Sequence, residues 1–305
     1  MNLSKHIKNL GSAFVNAFKL LVKNDPLRLA GATAFFTTFA LPPILLLLIQ
    51  LLSLIFNRRA VSTQLFAELA DFFGHDSVHQ VVNILRGFRG LASNWPMAMA
   101  GILFLLFVAT TLFKVIQSSL NQVWMIHKSG NKRFKMALVS RLKSTLVIVF
   151  TGLLFMASLL AESFKVIFGN YLDNLFPGSG FYLNGTFSTL ISVSIVWIWF
   201  TILFRYLPDG KPTWKVALSG GLLTSILFNT GKLILKWMLP NLHFDAVYGT
   251  SASIVLILLF VFYASLIFYY GASFTKVWGE ELGQPILPVV NAELYEQTDI
   301  KNLMK

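Results

Sequence analysis

The stretch SASIVLILLFVFYASLIFYYGASF, Ser251–Phe274, runs for 24 residues without a charged side chain. A helix needs about 20 mostly apolar residues to cross the hydrocarbon core of a bilayer, which is roughly 30 Å thick. Five other stretches qualify, at Leu27–Phe56, Pro96–Gln117, Leu142–Phe168, Phe187–Leu207 and Trp214–Leu239. The sequence therefore predicts an all-α polytopic membrane protein with six transmembrane helices, the last of them at Ser251–Lys276.

The overall composition indicates the same class of protein. Of 305 residues, 55% are hydrophobic and only 12% are charged, whereas a soluble domain usually carries about a quarter charged residues. The chain contains no cysteine, which excludes a disulfide framework, a thiolate metal site and a cysteine nucleophile. The formal net charge of +12 is compatible with binding to nucleic acid, with binding to anionic lipid, or with the charge asymmetry of a membrane topology. The positions of the charges must decide between these explanations.

Lysine and arginine are concentrated on one side of the predicted spans. The opposite side carries only Arg58, Arg59, Arg86 and Arg89, all within one loop. By the positive-inside rule, both termini are predicted to be cytoplasmic. The same rule explains the basic run HKSGNKRFK, residues 127–135, which has one aromatic side chain and lacks the stacking residues of single-strand binders. No nucleic-acid partner is therefore predicted.

Three parts are predicted along the chain. Residues 1–26 form an amphipathic interfacial helix, 27–276 the six-helix transmembrane domain and 277–305 a cytoplasmic tail. The apolar residues of the first part recur at three- and four-residue spacing: Ile7, Leu10, Phe14, Phe18 and Leu21. The outer loop, 57–95, contains two amphipathic segments, STQLFAELADFF and DSVHQVVNILRGF, whose apolar faces would pack on the membrane or over the bundle mouth.

Two consecutive prolines, Pro42 and Pro43, lie inside the first predicted span. They remove two backbone hydrogen-bond donors, so a kink or a break is predicted there. Such a bend would make room for a cavity and serve as a hinge. In the simpler interpretation, neighbouring helices satisfy the kink and it has no mechanistic role.

Two lysines, Lys232 and Lys236, lie a helical turn apart inside the fifth predicted span, and Asn229 shares their face. Glu162 and Lys165 lie at a similar depth in the third span. Charged groups at such depths are costly and usually face the bundle interior, a wet cavity or one another. We therefore predict an electropositive outer pocket, with Glu162 as counter-ion, that suits a phosphate, a carboxylate or a lipid headgroup. Alternatively, Lys165 and Lys236 reach the surface while Glu162 and Lys232 form a packing ion pair.

A second polar stripe lies at the inner end of the second span, where Lys114, Gln117 and Asn121 share one face. With Arg205 at a similar depth, the stripe could form an inner gate. The side chain of Lys114 is predicted to extend to the membrane surface. Asn121 is typical of a residue that forms a hydrogen bond at a helix end or between helices. Small-residue steps such as SGGLLTS, Ser219–Ser225, are expected to let helices approach closely.

The pair His75 and His79 in HDSVH is four residues apart, as in some zinc sites. Nothing fixes a third ligand near the pair, so two solvated histidines are the preferred interpretation. No metal, cofactor or catalytic residue is predicted.

Four pieces of the chain, in this order, resemble the YihY/BrkB family of membrane proteins: AGATAFFTTFALPPILLLLI, SSLNQVW, LPDGKPTWKVALSGG and VYGTSASIVLILLFVFYASLIFYYGASF. The resemblance implies a bacterial inner-membrane location, no established catalytic residues, and broad roles in transport and in envelope or serum resistance. Many members look as if they carry an acidic residue after the final Gly-Ala, where this chain has Ser273. No role of that carboxylate is transferred. An older ribonuclease label of the family finds no support in the residues.

The leading hypothesis is a non-enzymatic inner-membrane transporter or lipid-translocating protein for an anionic or amphipathic substrate, with membrane lipids as partners. The alternative is a non-transporting scaffold whose outer loop and tail bind envelope partners. A membrane-bound nuclease is the least favoured class, because the sequence has no acidic cluster suited to a two-metal site.

Overall fold

The computed structural model describes residues 3–53, 57–73, 78–79, 81–83, 85–86, 95–128, 179–238, 248, 252–289 and 292–294. The helices are α1 (Leu3–Lys23), α2 (Pro26–Leu52), α3 (Arg58–Phe73), α4 (Trp95–Val123), α5 (Ser179–Tyr206), α6 (Trp214–Met238) and α7 (Ala252–Glu281). Four short strands are β1 (Ile126–Lys128), β2 (Gly210–Lys211), β3 (Leu287–Pro288) and β4 (Ala292–Leu294).

Five helices occupy five of the predicted spans: α2, α4, α5, α6 and α7. Two of them contain segments long and apolar enough to cross a membrane, Trp214–Leu235 in α6 and Ile254–Glu281 in α7, and α5 contains a shorter apolar segment, Val193–Tyr206. The third predicted span, Leu142–Phe168, lies outside the described residues. The described residues are thus mainly helical and include two candidate membrane spans, and the count of six spans stays a prediction.

The largest hydrophobic core lies where the C-terminal ends of α4 and α5 meet α7. Trp124 is fully buried there, and its indole Nε1 donates to the carbonyl oxygen of Ala272 at 2.9 Å. The rings of Phe204 and Phe268 stack with centroids 5.2 Å apart, and Phe200 lies 5.9 Å from Phe268. Aromatic packing of this kind fixes how α5 sits against α7.

Small residues bring α5, α6 and α7 together, as the sequence predicted. A Cβ atom on Gly220 of α6 would overlap Thr275 of α7, and one on Gly221 would overlap Thr201 of α5. The backbones therefore approach more closely than larger residues allow.

The segments between α2 and α4 pack over the bundle rather than standing away from it. Leu65 of α3 is buried in one cluster with Ile49 of α2 and Ile257 of α7. Val81 and Leu85, in the second segment, join the same cluster. Their apolar faces thus cover the C-terminal end of α2 and the N-terminal end of α7.

The α2 helix is continuous through Pro42 and Pro43. The chain therefore does not break at the proline pair, and a hinge there stays a prediction. The helix ends at Leu52, and residues 54–56, the last of the first predicted span, lie outside the described residues.

The tail forms strands that the sequence analysis did not predict, so an all-α class is incomplete. Strand β4 pairs antiparallel with β1, with His127 opposite Glu293, and β3 pairs antiparallel with β2, with Gly210 opposite Pro288. Helix α7 extends beyond the predicted end to Glu281, and a left-handed glycine, Gly283, follows it with a φ of +65°. Gln284 N donates to Gly279 O at 2.7 Å, and this bond closes the C-terminal end of α7. The tail then turns back toward β1 and β2.

Candidate functional site

The described polar contacts converge on Asp209, in the short connection between α5 and β2. Its side chain is buried, with 3% of the residue exposed. Asn121 of α4 donates from Nδ2 to Asp209 Oδ2 at 2.7 Å, and Gln117 Nε2 lies 3.2 Å from each carboxylate oxygen. Because Gln117 and Asn121 are four residues apart, one face of α4 presents both amides to the same carboxylate.

Asp209 is also tied through its backbone. Its N–H donates to Asn121 Oδ1 at 2.9 Å, and its carbonyl oxygen accepts a hydrogen bond from Val289 N at 2.8 Å. Val289 directly follows β3, which pairs with β2. One residue therefore joins α4, the connection between α5 and α6, and the tail.

A lysine closes the neighbouring end of α4. Met125 adopts a left-handed conformation with φ of 57°, which ends the helix before β1. Lys276 of α7 is partly buried, and its Nζ donates to Trp124 O at 3.1 Å. A cation at the C-terminus of a helix is favoured by the helix dipole and by the unsatisfied carbonyl groups there.

The predicted inner stripe is only partly brought together. Gln117 and Asn121 meet on Asp209, whereas Lys114 is exposed. Arg205 donates to Pro212 O and lies over the ring of Trp214, 5.5 Å from its centroid, so it holds the turn into α6. Asp209 was not predicted as a site residue, although it lies in LPDG, at the start of one of the four pieces that resemble the family. The available signal was a lone acidic residue in the short connection between two predicted spans.

Lys232 lies on the side of α6 that faces α5. It follows Gly221 by about three helical turns, on the same arc as Ser225. Gly221 packs on Thr201 of α5, and Ser225 Oγ donates to Val193 O of α5 at 2.8 Å. Lys232 is half-buried, whereas the neighbouring Leu233 is 66% exposed on the outward side.

The other members of the predicted outer pocket are described less fully. Asn229 Nδ2 donates to Ser225 O at 2.9 Å, which turns its amide back onto its own helix. The side chain of Lys236 lies outside the described residues, as do Glu162, Lys165 and His75. His79 is exposed. The pocket therefore stays a prediction, with Lys232 as the described residue that it rests on.

Two tyrosines of α7 hold other helices to the bundle. Tyr269 is fully buried, and its hydroxyl lies 2.6 Å from Thr33 Oγ1 of α2. Tyr270 donates to Phe14 O of α1 at 3.2 Å. These hydroxyl groups bond to neighbouring helices.

Long apolar helices that expose large apolar side chains are typical of an integral membrane protein. The match of residues 17–286 to the virulence factor BrkB family places the chain plainly in that family. The resemblance to the YihY/BrkB proteins is thereby confirmed.

Several relatives are named UPF0761 membrane proteins. One from Saccharophagus degradans is 27% identical over 89% of this chain and 60% of its own length. One from Mannheimia succiniciproducens is 24% identical over 85% of this chain and 86% of its own. One from Pseudoalteromonas translucida is 25% identical over 90% of this chain and 87% of its own length. The chain thus spans less than two thirds of the first relative. No solved structure matches the chain significantly.

Proposed function

We propose that the protein is a transporter or lipid-translocating protein of the bacterial inner membrane, with six spans and both termini in the cytoplasm. Its substrate is anionic or amphipathic, and it catalyses no covalent chemistry. The position of Lys232 carries the proposal: a half-buried lysine faces α5 within an apolar span.

A lysine inside a membrane span is costly and marks a pathway or site for charged groups more often than a packing position. The outward side of α6 is apolar, since Leu233 and Trp237 are 66% and 74% exposed. Lys232 lies on the other side of the same helix, on the arc where Gly221 and Ser225 contact α5. An anionic headgroup, phosphate or carboxylate that passed along the α5 and α6 boundary would meet a cation there.

The rest of the proposed path follows from the same helices. Lys236 and Lys165 add positive charge, and Glu162 balances the empty pocket. At the inner end, the Asp209 contacts join α4, the connection between α5 and α6, and the tail, so movement of any one displaces the others. Pro42 and Pro43 would supply a hinge in α2. Broken or bent helices serve alternating access in other transporters, which supports this part by analogy.

The test is transbilayer movement of a labelled anionic phospholipid in proteoliposomes, measured beside uptake of labelled inorganic phosphate. Five samples are compared: the unchanged protein, Lys232→Met, Lys232→Arg, Lys215→Met and protein-free vesicles. Lys215→Met is the matched control, because Lys215 lies exposed at the start of the same helix. We expect Lys232→Met to slow movement about tenfold or more, the effect of about 1.4 kcal/mol on the barrier. Lys232→Arg keeps the charge and should retain most of the rate.

The two probes separate the possible substrates. Protein-dependent movement of the lipid alone supports lipid translocation, and uptake of phosphate alone supports a soluble anion. Equal slowing by Lys232→Met and Lys215→Met would contradict the role of Lys232. If every folded sample matched protein-free vesicles with both probes, the alternative of a non-transporting scaffold would be favoured.

A further inference from the structure

Helix α1 has three faces rather than the two of a simple amphipathic helix. Its buried face is made of small residues: Ala13 and Ala17 are fully buried against α7. Beside them the ring of Phe14 lies 5.1 Å from that of Phe274. Ser12 Oγ donates to Glu281 Oε1 at 3.1 Å. These contacts fix the rotation of α1 on the bundle.

The second face is apolar and exposed. Val15, Phe18 and Val22 are 55%, 58% and 53% exposed, and their spacing of three and four residues places them in one strip. Phe14, Phe18 and Leu21, which recur at three- and four-residue spacing, are divided between two faces: Phe14 and Leu21 turn toward the bundle while Phe18 stays outside.

The third face is polar and borders the exposed strip. Ser12, Asn16, Lys19 and Lys23 recur at three- and four-residue spacing, and all are exposed. Lys19 and Lys23 therefore form a pair of cations one helical turn apart along the edge of the apolar strip. In an integral membrane protein, an apolar strip edged by lysines matches the boundary between acyl chains and anionic headgroups.

We propose that α1 forms a binding surface for anionic phospholipid in the leaflet beside it. Val15, Phe18 and Val22 lie among the upper acyl chains, and Lys19 and Lys23 contact headgroup phosphates. The buried face holds α1 on α7, so the lipid site has a fixed place on the protein. The site requires no transport activity and is independent of the outer lysines.

We assign a lipid to this surface because exposed apolar side chains are also found beyond α1, at the start of α2. A turn at Asn24 and Asp25, the latter with φ of 53°, leads from α1 into α2. Leu27, at the start of that helix, is 67% exposed. Exposed apolar side chains are therefore present both on α1 and at the start of α2, and the exposed ion pair of Asp25 and Arg28 lies where the two helices meet. Because α2 is predicted to span the membrane, acyl chains are the medium expected around its start.

The first part of the test uses the absence of cysteine, because any introduced cysteine is unique. Nitroxide labels on Phe18→Cys and, separately, on Lys23→Cys are examined in lipid nanodiscs containing phosphatidylglycerol. We expect the label at position 18 to collide more with oxygen than with a water-soluble nickel complex, and the label at position 23 to show the reverse. A label at position 18 reached mainly by nickel, or shielded from both reagents, would overturn the proposal; shielding would mean that a protein covers the strip.

The second part tests the headgroup preference. Association of spin-labelled phosphatidylglycerol is compared with that of spin-labelled phosphatidylcholine for Lys19→Gln/Lys23→Gln and for Lys211→Gln/Lys215→Gln. Both pairs remove the same charge, and Lys211 and Lys215 are exposed residues outside α1. We expect the α1 pair to reduce the preference for the anionic lipid by roughly fivefold or more, with a smaller effect from the other pair. Equal effects, or none from the α1 pair, would rule out a site on α1.

Discussion

Asp209 and Asn121 form two reciprocal hydrogen bonds. The amide Nδ2 of Asn121 donates to Asp209 Oδ2 at 2.7 Å, while Asp209 N donates to Asn121 Oδ1 at 2.9 Å. The two residues are separated by 88 positions in the chain. The Asn121 side chain of α4 thus satisfies both the carboxylate and the backbone N–H of Asp209, which lies in a turn far along the chain.

The first prediction concerns this reciprocal pair. Asn121→Ala removes both hydrogen bonds and leaves a buried carboxylate less well solvated, so we expect a loss of about 2 to 4 kcal/mol in stability. Lys114→Ala is the control, since Lys114 is exposed on the same helix, and it should change stability little. The measurement is the thermal unfolding midpoint in detergent. An unchanged midpoint for Asn121→Ala would show that the pair does not hold the C-terminal end of α4 to the connection between α5 and α6.

The second prediction concerns close packing of α6 and α7. Gly220→Ala places a methyl group against Thr275, so the helices must separate, at a cost of about 1 to 3 kcal/mol. In Gly31→Ala the new methyl group meets open space. That change should be neutral or stabilising by about 0.5 to 1 kcal/mol, because alanine favours the helix. Unfolding midpoints that fell equally in both variants would contradict the packing.

The third prediction concerns the bond between α2 and α7. Tyr269→Phe removes the hydroxyl that bonds to Thr33 at 2.6 Å and keeps the ring in the core, so we expect a loss of about 1 kcal/mol. Tyr206→Phe is the matched control, because Tyr206 is more than half exposed. Thermal unfolding of the two variants side by side is the measurement. An unfolding midpoint for Tyr269→Phe no lower than that of Tyr206→Phe would show that the bond to Thr33 contributes little.

The helices were predictable because their signal is local. A run such as that in α7 is apolar over its whole length, so its existence follows from the composition of one segment. The close approach at Gly220 and Gly221 was also predictable, since small residues in a span have few other uses. Both features need no knowledge of distant residues.

The site was less predictable because its partners are distant in the chain. Gln117 and Asn121 were recognised as one polar face, but their acceptor, Asp209, belongs to another segment. The strands were missed for the same reason: two or three residues carry no periodicity, and β1 and β4 form only when α7 brings the tail back. On α1, the docking face consists of alanines, which a pattern of large apolar residues does not reveal.

The last prediction tests the position of the tail directly. His127 and Glu293 are paired across β1 and β4, and paired residues in antiparallel strands have Cα atoms about 4.5 to 5.5 Å apart, within reach of a disulfide. Because the chain has no cysteine, His127→Cys/Glu293→Cys should form one intramolecular disulfide under mild oxidation, seen by mass spectrometry of the linked peptides. His127→Cys/Ala292→Cys shifts the register by one residue and points the second thiol to the opposite face, so it should link far less. Efficient linking of the shifted pair alone would show that the strands pair in another register, and linking of neither would show that the tail does not rest on β1.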